Sequence, residues 1–207
     1  MNEASQNKEI ETRSIVPDNK IKATQEKLES LGFKLIEQFV QKDIILDKPD
    51  ASLFKSGQKI RIREEKGTAE LTYKGLFEGS QDFARRSEIN IPLNPNSIED
   101  IKIIFASLGY PLLFQIIKER TVYEKGEIKA TFDNWPIIGT MLEIEGGESE
   151  VKEVTDNFSS DFEFKNYRLK DLFSDKVSES EKSFVELKSD YEKSTGNELG
   201  KIELIVE

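Results

Sequence analysis

The chain has 207 residues, 36% of them hydrophobic and 34% charged, with a formal net charge of −10, which suits one large folded domain and argues against nucleic-acid or anionic-membrane binding while leaving room for a local basic pocket. It contains neither Cys nor His, which excludes disulfides, thiolate chemistry, His zinc sites, Ser-His-Asp triads and imidazole bases. Any chemistry here must come from carboxylates, Lys, Arg, hydroxyls and oxygen-ligated metals.

The opening K-E-I-E-T-R-S-I-V (8–16) reads as a strand with Glu9, Glu11 and Arg13 on one face and Ile10 on the other. Ile21, Leu28 and Leu31 then fall at helical spacing, with Gly32 as the stop. Strands are expected at 33–47 and 58–65, a tight turn at Lys66-Gly67, a strand at 69–75 and a polar loop over 76–83. The rhythm restarts with a strand at 84–93, a helix near 97–108, and strands at 113–124, 127–134 and 140–146. The helix ends S-L-G-F (30–33) and S-L-G-Y (107–110) are 77 residues apart, as are Glu11 and Glu88, which suggests two strand-helix-strand-strand-strand halves. Trp135-Pro136 reads as turn filler. From 147 onward the chain is acidic, with Phe158, Phe162, Phe164 and Phe173 expected to pack a helix at about 179–194 onto the rest.

No stretch reaches the roughly 18 consecutive apolar residues of a membrane span. The start M-N-E-A-S-Q-N-K-E lacks the basic and apolar regions of a secretory signal, so a cytoplasmic location is the expectation.

The strand charges are sorted by type. Basic residues occupy 61, 63, 74, 118 and 120, and carboxylates 9, 11, 133, 143 and 145, while Arg86 and Glu88 form a mixed pair. The alternate face is apolar at Ile60, Ile62, Ile117, Leu142 and Ile144. A wet outer face explains any single strand. For the set, eight strands closed into a barrel with the charges inward is the better reading. Buried unpaired charge costs several kcal/mol or more, so such a lumen is expected to be filled by a polyanion on the cations and by hard divalent ions, Mg²⁺ or Mn²⁺, on the carboxylates.

E-I-E-T-R (9–13) resembles the N-terminal signature of the CYTH superfamily, the triphosphate tunnel metalloenzymes. The resemblance continues in order through Q-K-D-I-I-L-D (41–47), K-I-R-I-R-E (59–64), L-T-Y-K-G (71–75), R-x-E (86–88), K-E-R-T-V-Y (118–123), T-F-D (131–133), L-E-I-E-G (142–146) and K-S-F-V-E-L (182–187). It implies an α+β fold: a closed eight-stranded antiparallel tunnel over 8–146, built from two βαβββ halves with flanking helices. A C-terminal helical extension (147–207) would pack on it within a single domain. By resemblance, Glu9, Glu11, Asp133, Glu143 and Glu145 would hold one or two divalent metals. Arg13, Arg61, Arg63, Lys74, Arg86, Lys118 and Arg120 would grip the triphosphate, with Glu88 orienting the cations.

Arg13 replaces the usual Lys, and Ile45-Leu46 replace an aromatic pair. The partner so implied is a small-molecule triphosphate. L-T-Y-K-G and L-E-I-E-G resemble the class IV adenylyl cyclases, which convert ATP to cyclic AMP and pyrophosphate. A triphosphatase releasing orthophosphate from tripolyphosphate or an organic triphosphate is the alternative, and a non-catalytic polyphosphate or nucleotide sensor the third reading.

Overall fold

The computed structural model describes residues 8–76, 84–165, 167, 169–180 and 182–202. The first half runs β1 (Lys8–Ile15), α1 (Ile21–Ser30), β2 (Lys34–Leu46), the one-turn α2 (Ser52–Lys55), β3 (Lys59–Glu65) and β4 (Thr68–Lys74). The second runs β5 (Ala84–Leu93), α3 (Ile98–Ser107), β6 (Leu112–Lys125), β7 (Ile128–Trp135) and β8 (Gly139–Glu145), followed by α4 (Glu148–Asp156), α5 (Leu169–Ser180) and α6 (Phe184–Thr195). Most of the polar loop expected at 76–83 lies outside the described residues.

All neighbouring strands are antiparallel, and they close into a barrel in the order β1-β5-β4-β3-β2-β6-β7-β8. This is the α+β barrel expected from the sequence. Its order carries the duplication: β2-β3-β4 and β6-β7-β8 are matching meanders, and the first strand of each half pairs with the last strand of the other. The matching helix ends are built alike. Phe33 donates its N–H to Leu28 O (3.1 Å) and Tyr110 to Phe105 O (2.8 Å), while Gly32 and Gly109 both sit at φ 90°, where a side chain would be strained.

Helices cover the outer faces of both meanders. α3 places Ile98, Ile101 and Phe105 on Ile44, Leu46, Ile62 and Leu71. On the other side, Leu28 of α1, Val151 and Val154 of α4, and Phe158 pack on Phe132, Leu142 and Ile144. Because these helices bury one side-chain parity of every meander strand, the other parity is left facing inward.

The C-terminal region closes one end. Leu172, Phe173, Phe184, Leu199 and Ile202 form one core with Ile45, Phe114, Ile116 and Met141, residues of the inward parity. It also seals two gaps between strands. β6 pairs with β7 only from Glu119 onward, and the exposed edge before it takes the tail instead: Gln115 donates to Leu199 O (3.3 Å) and Lys201 to Leu113 O (2.9 Å). Beyond Glu11, where its pairing with β5 ends, β1 exchanges both backbone bonds of Arg13 with Lys165 (3.2 and 2.9 Å). Unpaired strand edges are thus covered rather than left open.

The helix expected at about 179–194 is α6, and a further helix, α5, precedes it. The restart is a capping box in which Ser183 and Glu186 bond reciprocally to each other's backbone N–H. The sequence reading also passed over α2 and α4.

Candidate active site in the barrel lumen

Register decides which charged residues meet. Arg63 lies opposite Asp43, Arg120 opposite Asp133, Lys74 opposite Glu88, Arg13 opposite Glu143, and Glu11 opposite Glu145. Each pair shares the inward parity, so the two-residue charge spacing in the sequence becomes a lining of mixed sign. Glu9 and Arg86 are also register partners, although their side chains lie outside the described residues.

Asp43 organises the first group. Arg63 grips it with two parallel hydrogen bonds, Nε to Oδ1 at 2.7 Å and Nη2 to Oδ2 at 2.9 Å. Arg61 Nε stands 4.0 Å from the same carboxylate, and its Nη2 donates to Thr72 Oγ1 at 3.1 Å. Burial alone would push the Asp43 pKa up. The two guanidiniums, Arg63 first, overcome it and hold the carboxyl well below its usual range. Burial, reinforced by Arg63, lowers the pKa of Arg61.

Asp133 organises the second. Lys118 Nζ lies 2.6 Å from Oδ2, and Arg120 donates to both carboxylate oxygens at 2.7 and 2.6 Å. Lys118 and Asp133 each expose only 2% of their side chains. Burial pushes the Lys118 pKa down to about 8, against the opposing pull of Asp133. Asp133 itself is held low, because Lys118 and Arg120 outweigh its burial. Both oxygens are therefore engaged by cations, Oδ2 twice and Oδ1 once, which leaves one lone pair of Oδ1 for a metal ion.

The third group is the acidic end. Arg13 spans two carboxylates, with Nη2 2.6 Å from Glu11 and Nε 2.5 Å from Glu143. Glu143 is held well below its usual range despite burial, by Arg13 first and then by Arg120 and Lys118 of β6 and Lys74 of β4. β1, β4, β6 and β8 belong to one closed barrel, so these side chains share a common lumen with Glu143. Glu145 shifts the other way, raised by burial and by the like charges of Glu143 and Glu11. Lys74 and Glu88 form a further pair at 2.6 Å.

Sequence reasoning expected the lumen charges to wait for ligands, whereas much of the compensation is internal. The residues it overlooked supply part of this. Asp43 sits inside the quoted Q-K-D-I-I-L-D segment, two residues from Gln41 on the same face. Gln41, fully buried, donates its amide N–H to Glu65.

The donor set suits a hard divalent cation. It is oxygen-only, and Glu145, Glu143 and Glu11 stand together at one end of the lumen, where Glu11 and Glu145 are register partners. Among the described residues, no three carboxylates already stand in a coordinating arrangement; the guanidinium of Arg13 occupies the space between two of them. On the outer side of β1, and sharing no residue with the lumen, residues 152–164 shape a separate cavity of about 630 Å³ against Thr12.

Known proteins resemble the chain in sequence and in fold. A Methanocaldococcus jannaschii protein provisionally named an adenylate cyclase is 33% identical over 128 residues, 62% of this chain and 71% of that protein. A Vibrio parahaemolyticus structure of the same provisional name superposes with a TM-score of 0.63 at 17% identity, covering 81% of this chain and 98% of that one. A Hippeastrum protein, provisionally an adenylyl cyclase and described as having a dominant triphosphatase activity, superposes with a TM-score of 0.61 at 16% identity, covering 77% and 90%. At these identities the two structures speak for the fold alone. The CYTH domain itself matches residues 7–195, running from the first acidic strand through the barrel and on across α4, α5 and α6. The chain belongs to the CYTH domain family.

Proposed function

We propose that the chain is a divalent-metal-dependent enzyme that binds a triphosphate inside the barrel and cleaves it, with conversion of ATP to cyclic AMP and pyrophosphate as the reaction. The observation that carries this reading is the convergence of six described cations, Arg13, Arg61, Arg63, Lys74, Lys118 and Arg120, on one lumen with an acidic end. Several cations around one axis suit a chain of phosphates, because each phosphate brings its own anionic oxygens. Arg86, a triphosphate ligand by the sequence resemblance, would join them. The name of the 33%-identical relative supports the cyclase assignment.

In this mechanism Arg61, Arg63 and Arg120 bind phosphate oxygens with planar forks already aimed by Asp43 and Asp133. Lys118 adds a compact charge beside them. Glu11, Glu143 and Glu145, with Glu9 as the sequence suggests, would hold one or two Mg²⁺ or Mn²⁺ ions, and Asp133 would join through Oδ1. When bound, such an ion acidifies the attacking hydroxyl and neutralises charge on the phosphate attacked. Arg13 holds both Glu11 and Glu143 until then. Glu88 holds the Lys74 ammonium in place.

The second reading, a triphosphatase, uses the same cradle with water as nucleophile. The Hippeastrum protein motivates it, as a barrel of this fold with a cyclase name and a dominant hydrolytic activity. Incubation with Mg²⁺ or Mn²⁺ and either ATP or tripolyphosphate, with the products resolved, separates the two. Cyclic AMP with pyrophosphate supports the cyclase, and orthophosphate the hydrolase. Binding without turnover of either substrate would leave only a sensor and overturn the enzyme assignment.

A further inference from the structure

Trp135 ends β7, two residues beyond Asp133 on the same inward parity, where the charged lumen meets the apolar core that closes the barrel. Its ring lies under the Lys118 ammonium, 4.5 Å from nitrogen to ring centroid. Its indole N–H is buried and has no hydrogen-bond acceptor. A buried donor left unmade is costly, and native proteins keep few of them. A second orphan donor, Arg61 Nε, lies in the same lumen. Two buried N–H groups without acceptors, beside a cluster of cations, call for an anionic oxygen that the protein does not itself provide.

We propose that Trp135 is a substrate-contacting residue, donating its indole N–H to a phosphate oxygen at the closed end of the lumen while its ring steadies the Lys118 ammonium on the same phosphate. The assignment rests on the triphosphate reading of the tunnel and extends it, because it gives the substrate a direction: one phosphate reaches the Lys118–Trp135 end. Turn filling, the simpler role for a Trp before Pro136, would leave the indole N–H irrelevant to binding.

Trp135 is the only tryptophan in the chain, so its emission reports on this end of the lumen. The experiment titrates tripolyphosphate, with and without Mg²⁺, into the wild-type protein, following emission and calorimetry in parallel. The expected result is an emission change that saturates with the calorimetric isotherm, and an affinity about tenfold weaker in W135F, which keeps an aromatic face under Lys118 and loses the donor. Calorimetric binding with unchanged emission overturns the proposal, as does wild-type affinity in a folded W135F. If W135F does not fold, the wild-type emission alone decides. Absence of calorimetric binding to the wild type under both conditions sinks the tunnel reading itself, and the Trp135 assignment falls with it.

Discussion

Lys118 and Asp133 touch at 2.6 Å with both side chains all but sealed from solvent, yet burial still drags the lysine down to about 8 from its ordinary 10.5. Two pH effects of opposite sign follow. Between about pH 8 and 10.5 the unfolded chain keeps this proton while the folded chain has released it, so this lysine makes stability rise with pH across that window. Triphosphate affinity should move the other way, falling above about pH 8 as a lumen cation is lost. Denaturant unfolding and calorimetric titration from pH 7 to 10 test the pair. In Lys118→Met both trends should vanish from that window, and their persistence would assign them to another group.

Asp43 holds two buried guanidiniums, Arg63 by a double hydrogen bond and Arg61 at 4.0 Å. Replacing Asp43 with Asn keeps the shape and removes the charge, leaving both cations uncompensated. Breaking a buried pair in this way costs about 3 kcal/mol or more. The fold should be weakened by that order in denaturant melts, and tripolyphosphate should restore more stability to the variant than to the wild type, because it supplies the missing negative charge. An undisturbed melt, or equal rescue of both proteins, would contradict Asp43 as the counter-charge.

This same carboxylate shows where the sequence was legible and where it was not. The period-2 spacing of Arg61 with Arg63, Lys118 with Arg120, and Glu143 with Glu145 is a local signal, and it placed the lumen face correctly. Asp43 is followed by Ile44, Ile45 and Leu46, so the end of β2 reads as apolar on both faces and its charge does not stand out. Its partnership with Arg63 spans 20 residues and exists only through the β2–β3 register. Pairing among the lumen charges is likewise a property of the closed barrel. In the tail, no Gly or Pro separates α5 from α6, and the Ser183–Glu186 box alone marks the break. The single bridge between Lys165 and Arg13 has no periodicity at all, and short edge pairings of this kind leave no sequence pattern to read.

Gly200 should be intolerant of a side chain. Its φ is +72°, and a Cβ there would stand 3.1 Å from Phe114 Cα and 3.2 Å from the carbonyl oxygen of Leu113. Gly200→Ala must therefore either strain the backbone or lift residues 199–201 from the edge of β6. The expected cost is about 1–3 kcal/mol, with faster hydrogen exchange at the Gln115 and Lys201 amides that bond across this edge. Unchanged exchange and an unchanged melt would show that the tail does not seal the barrel there.

Glu143→Gln separates metal binding from phosphate binding. The amide keeps the volume and can still accept from Arg13, which also retains Glu11 at 2.6 Å, so the barrel should fold. Removing one carboxylate from the acidic end weakens the grip on a hard dication, for which a neutral amide is a poorer ligand, and metal-dependent turnover should fall by more than about a hundredfold. The same change removes a negative charge that interacts with Arg120, Lys118 and Lys74. Without metal, tripolyphosphate should therefore bind the variant at least as tightly as it binds the wild type. Turnover and metal-free affinity thus move in different directions, which general damage to the fold would not produce. Retained turnover at saturating Mg²⁺ or Mn²⁺ would remove Glu143 from the metal site.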